Sequence, residues 1–475
     1  MDILERLERL IPPDRLARDP AAVLVYEFDA WPVRRTPPLA VVHPRSTDEV
    51  RAVVEACRDA KVPFLARGSG TGLSGGATPA GEGYLMIAMA GMDRILALDA
   101  EDRTARVQPG LFNLALSEAA APHGLRFAPD PSSQAASTIG GNVSENAGGP
   151  HCFLHGMTTD HVLGLVLVTP EAEVLELERG AGPDLCGLVV GHEGTFGIVT
   201  EVLLRLVPQP GVVETWLAPY PTMSAACRAV SDLVASGLSP SALEILDRNT
   251  IEAVEASVYA AGYPREAEAV LLVEWEGSEA ALAAESPAIV DRLRAHGPLG
   301  LEATRDPVQR KRLWKGRKGA FGAMGRLAPS LFVLDGTVPR SRLEEALARS
   351  LEIGRAHGVR LSNVFHAGDG NLHPNISFDD RDPAEVARAI AAGSEILRTC
   401  VELGGSISGE HGVGLEKLDF LGFQYSETDL EVFRELRRCF DPDERCNPGK
   451  LLPAGGSCAE GRSARAPAAL EGGDG

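Results

Sequence analysis

The chain lacks any Cys-x-x-Cys pair: its eight cysteines, at 57, 152, 186, 227, 400, 439, 446 and 458, stand singly. Thiols so scattered argue against a protein-held iron–sulfur cluster or a zinc ribbon. No uninterrupted apolar run approaches bilayer-spanning length. Positive charge is scarce too, with a formal net charge of −20, so a nucleic-acid surface is not expected. The N-terminus, Met1-Asp2-Ile3-Leu4-Glu5-Arg6-Leu7, alternates acidic and apolar residues and reads as neither a signal nor a transit peptide. Unpaired thiols without a secretory signal point to a reducing compartment, so a cytoplasmic location is expected. The 475 residues suffice for two or three domains.

Glycine, by contrast, is concentrated. Gly68-Ser69-Gly70-Thr71-Gly72-Leu73-Ser74-Gly75-Gly76 carries five glycines in nine residues, after the strand-like run Pro63–Ala66 and Arg67. Glycine permits positive φ and lets main-chain N–H groups approach an anion closely. The stretch matches a dinucleotide fingerprint at Gly70-x-Gly72-x-x-Gly75, but the third glycine must then open a helix. Ala77-Thr78-Pro79-Ala80-Gly81 cannot start one, and no Gly-Lys-Ser/Thr follows. Two readings remain: a pyrophosphate cradle built without a helix, or a glycine-rich surface turn.

Around this loop the pattern is α+β. Residues 39–43 read as a strand, and Ser46 with Glu49 as a capping box opening a helix with Val50, Val53, Val54 and Cys57 on one face. Strands are expected at 84–89, 94–98, 104–108, 162–169 and 173–177, with a helix at 111–121. Residues 128–149, rich in small, hydroxyl and amide side chains, read as a long irregular functional loop. A third small-residue segment, Val190–Thr200, feeds a strand. Pro208-Gln209-Pro210-Gly211 is the clearest linker. Five strands (212–218, 269–275, 331–335, 360–366, 374–378) then interleave with helices at 222–236, 278–296, 306–324, 341–356 and 383–403. Ser341 and Glu344 suggest a further capping box. A helix is expected at 426–439, a turn at Asn447-Pro448-Gly449-Lys450, and a disordered tail at 454–475. The expected organisation is therefore an N-terminal helical segment (1–36), a first α+β domain (37–210), a second (211–420) and a C-terminal segment (421–453).

The second domain holds the densest reactive chemistry. His366 and His373 flank Gly368-Asp369-Gly370-Asn371, a turn that brings the two imidazoles together. Ser408-Gly409-Glu410-His411-Gly412 adds a carboxylate and a third imidazole. Two histidines and a carboxylate make a divalent-metal set with open positions, and four such residues among glycines favour a site over histidines packed in a loop. Asp369 suits an Asx-turn better than a ligand role. The basic helix Gln309–Lys318 is read as a solvated face, with one arginine turned inward to clamp a carboxylate and Trp314 in the core.

With Arg67–Gly76, Pro129–Gly149, Gly191–Thr200, His366–His373, Ser408–Gly412 and Asn447–Lys450 in hand, the chain resembles the FAD-linked oxidase family, from about residue 37 to 453. Within that family it is most similar to the branch holding glycolate oxidase FAD-binding subunits, D-lactate dehydrogenases and D-2-hydroxyglutarate dehydrogenases. The resemblance implies a vanillyl-alcohol-oxidase (PCMH-type) fold: an FAD-binding domain of two α+β subdomains, plus an α+β cap with an antiparallel sheet. It implies that Arg67, Gly68, Ser69, Gly70, Thr71 and Gly72 wrap the FAD pyrophosphate. It implies further flavin contacts at Asp130, Ser132, Ser133, Thr138, Gly141, Asn142, Gly148 and Gly149, and at Glu193, Gly197, Ile198 and Asn447. His366, His373 and Glu410 match the family's metal ligands, for Zn, Mn or Fe. His411 matches the residue beside substrate and flavin, and Arg317 and Asn375 match substrate contacts.

The implied activity is oxidation of glycolate or D-lactate to the 2-oxo acid, by hydride transfer to flavin N5. Electrons would leave through an iron–sulfur partner subunit or a quinone-linked acceptor, which places the protein in the cytoplasm or, through partners, at the inner face of a membrane. Two departures stand out. His192 replaces the serine usual before Glu-Gly-Thr, and Phe321 stands where the longer-diacid enzyme has a polar residue, which weakens the D-2-hydroxyglutarate alternative. Non-covalent flavin is expected, with His151 and Cys152 the outside alternative for attachment. The rivals are a metal-dependent hydrolase whose glycine loop binds a substrate phosphate, and a non-catalytic flavin-binding assembly subunit.

Overall fold

A computed structural model describes residues 2–31, 33–180 and 182–453; the tail expected at 454–475 lies outside the described residues. In the first sheet, Leu85–Ala88 runs parallel to both its neighbours, Ala40–Val42 and Phe64–Arg67, and Leu16–Ala17 adds an antiparallel edge. The helix Thr47–Ala60 connects two of these strands and buries Val50, Val53, Val54 and Cys57 as its period predicts. Ser46 Oγ accepts from the Glu49 N–H at 3.2 Å. The Glu49 carboxylate turns instead to the Arg45 N–H and to Arg15, so only half of the capping box forms.

A second sheet is wholly antiparallel, with Ile198–Arg205 between Thr104–Val107 and Val162–Val168, and edges at Ile95–Asp99 and Val174–Glu178. The largest sheet is built from strands after residue 211 and is also antiparallel. In it, Ala269–Gly277 lies between Val212–Tyr220 and Ala242–Asp247. Arg360–His366 joins Ala242–Asp247 to Asn371–Leu372 and Pro374–Phe378. Near its end the chain returns to the first sheet: Cys446 bridges to Phe64, and the Asn447 N–H donates to the Phe64 carbonyl at 2.7 Å.

Four local expectations are corrected. Within 128–149, expected to be irregular, Ile139–Glu145 is a two-turn helix. Two glycines oppose it, but Thr138 caps its N-terminus and Ile139 and Val143 are fully buried, so packing overrides propensity. The strand Ala242–Asp247 and the helix Arg248–Glu255 fall in a stretch where no element was expected. Glu244 and Asp247 interrupt the apolar run, yet every residue of that strand is buried. The helix expected at 306–324 divides at Gly319 into Pro307–Lys318 and Ala320–Met324. Ser341 does not cap, because Pro339 leads into a 3-10 turn at Arg340–Arg342 and the helix begins at Leu343.

Candidate active site

The strand Phe64–Arg67 delivers the chain into the glycine loop. Arg67, buried, donates from Nη1 to the Ala77 carbonyl at 3.2 Å, so its side chain braces the loop from beneath. Gly70 crosses this guanidinium at φ +69°, where a Cβ would stand 2.2 Å from Nη2. Only glycine fits there. Beside the loop runs a groove. Of the residues expected at a cofactor, Gly68, Thr138, Gly141, Glu193, Gly197, Ile198 and Asn447 line it. Backbones meet closely across it: a Cβ on Gly68 would lie 2.3 Å from Thr138 Oγ1, and one on Gly140 2.5 Å from Pro109. Asn142, beside Gly141 in the chain but outside this lining, is buried, with no hydrogen-bond partner for Nδ2 among the described residues. A groove walled by glycines where a Cβ would intrude fits a polar, phosphate-bearing cofactor such as FAD.

The other expected contacts lie outside that lining. Ser69 is exposed, and Thr71 and Gly72 are half-buried. Asp130 pairs with His151 Nδ1 at 2.9 Å and with Lys318 at 3.1 Å. Ser132 is exposed, Ser133 is half-buried, and Gly149 packs on the Asp130 main chain. Gly148 borders the histidine cluster instead, since a Cβ there would lie 2.6 Å from Glu410 Oε2. His151 is held at both nitrogens, by Asp130 and by Glu274 at 3.1 Å. Burial opposes its charge, but these carboxylates override it and lift its pKa to about 10. An imidazolium with both nitrogens engaged is a poor candidate for covalent flavin attachment.

The hairpin Arg360–Leu372 folds back at Gly368–Gly370, with the Asn371 N–H donating to Asp369 Oδ1 in the expected Asx-turn. His366 and His373 are thereby brought edge to face, ring centres 5.3 Å apart. His373 Nδ1 lies 3.1 Å from the Leu334 carbonyl, which can only accept, so Nδ1 carries the proton. Nε2 of a neutral His373 is then an acceptor, yet it faces another acceptor, Glu410 Oε1, at 3.2 Å. His366 repeats the arrangement, with Nδ1 2.7 Å from Glu244 Oε1 and Nε2 3.2 Å from Glu410 Oε1. Lone pairs facing each other demand a cation or extra protons between them. Imidazoles oriented from behind by a carboxylate and a carbonyl are how metal-binding histidines are held, and the three ligand atoms lie within 4.8 Å of one another. The donor set fits a divalent ion.

His411 stacks on His373 with ring centres 4.9 Å apart and planes 6° from parallel. Its Nδ1 is buried without a partner among the described residues, and burial lowers its pKa to about 4, so the ring is neutral at pH 7. Arg317 is fully buried on the basic helix, pairing through Nε with Glu244 Oε2 at 2.5 Å and leaving Nη1 without a partner. Trp314 is buried, as expected, its Nε1 donating to Glu274 at 2.6 Å. Of the other helix charges, Lys311, Arg312 and Lys315 are exposed as expected, whereas Arg310 and Lys318 pair with carboxylates. Asn375 spends both Nδ2 hydrogens on the Ser362 and His373 carbonyls, so only its unpartnered Oδ1 is available to a ligand.

Groove and cluster meet directly. Ser74 Oγ donates to the His411 carbonyl at 2.9 Å, and the Ser74 carbonyl accepts from the Leu415 N–H at 2.8 Å. Glu193, at φ +52°, accepts the Val413 and Gly414 N–H groups at 2.7 and 2.6 Å. Its main chain lines the groove while its carboxylate clasps the loop that carries His411. Asn447 Nδ2 donates to the Gly76 and Glu193 carbonyls, and Lys450 Nζ to Gly76.

Sequence reasoning missed Glu244, Asp335, Lys417 and Lys450. Asp335, fully buried, accepts N–H groups from Gly409 (3.0 Å), Glu410 (3.1 Å) and His411 (2.8 Å), a hydroxyl from Ser408 (2.7 Å), and Lys417 Nζ (3.1 Å). One carboxylate thus holds the whole Ser408–His411 turn. The only signal in the sequence was charge inside apolar runs, as in Ala242-Leu-Glu-Ile-Leu-Asp247 and Phe332-Val-Leu-Asp335.

His192 does not line the groove. It stacks on Phe196, which stacks on Phe440, and burial lowers its pKa to about 4 from 6.5. The unfolded chain therefore binds this proton first as pH falls. The contribution is complete above pH 6.5 and is lost towards about pH 4, amounting to about 3 kcal/mol. Urea unfolding of His192→Leu is expected to show a flatter decline of stability over that window than the parent. Equal slopes would place the titration elsewhere.

Two family profiles match the chain: the FAD binding domain over residues 38–178 and the C-terminal domain of FAD linked oxidases over residues 209–451. It is 42% identical over 462 residues to the glycolate oxidase subunit GlcD of Escherichia coli K12, covering 96% of this chain and 92% of that one. Identity to the GlcD of Bacillus subtilis 168 is 37% (95% and 97% covered), and to D-lactate dehydrogenase of Archaeoglobus fulgidus 32% (95% and 99%). In fold it is similar to p-cresol methylhydroxylase with substrate bound, at a TM-score of 0.81 and 16% identity over 94% of this chain and 96% of that one. The architecture is a PCMH-type FAD-binding fold joined to an antiparallel α+β unit.

Proposed function

The chain belongs to the FAD-linked oxidase family, and from that premise we propose that it oxidises a small 2-hydroxy acid, glycolate or D-lactate, to the 2-oxo acid. The observation carrying this reading is the contact between Ser74 of the glycine loop and His411, which sets the histidine cluster beside the groove. We assign residues 37–210 to the FAD-binding domain and 211–420 to the substrate domain. The flavin, when bound, supplies a two-electron acceptor. His366, His373 and Glu410 would hold a divalent ion, which supplies a Lewis acid able to lower the pKa of a bound hydroxyl.

The chain's own residues take the remaining roles. The unpartnered Nη1 of Arg317 receives the substrate carboxylate, and Glu244 fixes the guanidinium for it. The neutral His411, with Nδ1 open, accepts the hydroxyl proton. Asn375 offers Oδ1 to the same hydroxyl. Phe321, edge-on to His373 at 6.3 Å, puts an apolar wall where a longer diacid would need a polar group, so a short substrate is favoured over D-2-hydroxyglutarate. The flavin is non-covalent, since His151 is engaged at both nitrogens and burial pushes the Cys152 thiol well above its ordinary pKa, away from the reactive thiolate. With no thiol pair to hold a cluster, electrons pass to an iron–sulfur partner subunit or a quinone-linked acceptor. Among the described residues no helix is long and apolar enough to cross a membrane. A cytoplasmic place, at the inner membrane face through partners, is our reading.

The test is anaerobic titration of the yellow protein. Glycolate or D-lactate is expected to bleach the flavin. After dialysis against a chelator the colour should persist while bleaching by substrate stops. Colour that survives both acids would overturn the reading in favour of an assembly subunit, and bleaching by D-2-hydroxyglutarate alone would transfer it to the alternative substrate.

A further inference from the structure

Glu145 ends the helix Ile139–Glu145 and lines the groove. Its carboxyl group lies between the two loops that meet there. A Cβ on Gly76 would stand 2.5 Å from Oε1, and one on Gly412 would stand 2.6 Å from Oε2. The same point beside Gly412 lies 2.7 Å from Glu193 Oε1, so two carboxyl groups face one spot next to His411.

Their hydrogen bonds differ. Glu193 accepts two main-chain N–H groups, which suits an anion. Glu145 Oε2 is sealed from solvent and has no partner among the described residues. The charged groups facing Glu145 are Glu193, Asp29, Lys450 and Lys417. Both lysines are engaged elsewhere, Lys450 with the Gly76 carbonyl and Asn447 Oδ1, Lys417 with Asp335, Ser408 and the Gly412 carbonyl. Glu145 as a whole is half-buried, but an anion there would hold its sealed Oε2 beside the Glu193 carboxylate without a donor.

We propose that Glu145 is a positioning residue which stands as the neutral acid in the cofactor groove and presents an O–H, not a carboxylate, to the flavin. Burial and the Glu193 charge both push its pKa well above the carboxylate range, in keeping with that geometry. Proton loss would put a second negative charge against the cofactor, so FAD affinity should fall as rising pH removes that proton. The inference rests on the groove holding FAD and not on which acid is oxidised.

The test is an infrared difference spectrum of the holoenzyme, reduced by dithionite so that no substrate is needed, with carboxyl-¹³C glutamate to identify the group. A protonated-carboxyl C=O band that shifts with the label and vanishes in Glu145→Gln is expected, and the FAD Kd of that variant should lose the pH dependence of the parent. Absence of a labelled band in the parent would overturn the proposal, and that measurement needs no variant. So would a band retained in Glu145→Gln, or an unchanged pH profile. A colourless parent would refute the flavin reading itself, whereas a yellow parent without the band refutes only this role for Glu145.

Discussion

Replacing His411 with alanine is expected to leave the protein yellow and to cut turnover about 10²- to 10⁴-fold, the range for loss of a positioned base. Flavin retention follows from the contacts: the groove is tied to this turn through the His411 carbonyl and the Val413 and Gly414 N–H groups, all main chain. The imidazole itself has an open Nδ1 and stacks on His373. Stopped-flow reduction by glycolate or D-lactate, with the flavin spectrum as control, separates the outcomes. Reduction at the parental rate would refute the role of base. Loss of colour would mean that the ring holds the groove together.

The second large effect belongs to a residue that meets neither substrate nor cofactor. Asp335→Ala is expected to destabilise the protein by about 3–5 kcal/mol, because it leaves Lys417 buried and unpaired and takes the acceptor from three successive N–H groups. Urea unfolding measures the loss. Adding Lys417→Met should recover part of the stability by removing the stranded charge, while substrate reduction of the flavin should not recover, since the Ser408–His411 turn still lacks its acceptor. Restored reduction in the double variant would show that the turn holds its shape without Asp335. A stability loss below about 1 kcal/mol would show that water replaces the carboxylate.

Much was legible in the chain itself. The helix at Thr47–Ala60, the hairpin carrying His366 and His373, the Asx-turn at Asp369 and the inward arginine all follow from periodicity, turn chemistry and charge placement. These are local effects: a residue's neighbours along the chain decide its φ, ψ and the face it presents. The helix Ile139–Glu145 and the strand Ala242–Asp247 escaped the same reasoning because burial between layers outweighs what glycine or an internal glutamate prefers.

The residue types of a glycine cradle and a histidine–carboxylate cluster were thus determined by the sequence alone. Only the tertiary structure decided that they share one site. Ser74 reaches His411 across 337 residues, Glu193 reaches Gly414 across 221, and Asp335 holds the turn at 408–411 from a separate strand end. No spacing rule encodes such pairings. They arise when buried carboxylates and main-chain N–H groups, cut off from water, have only each other as partners.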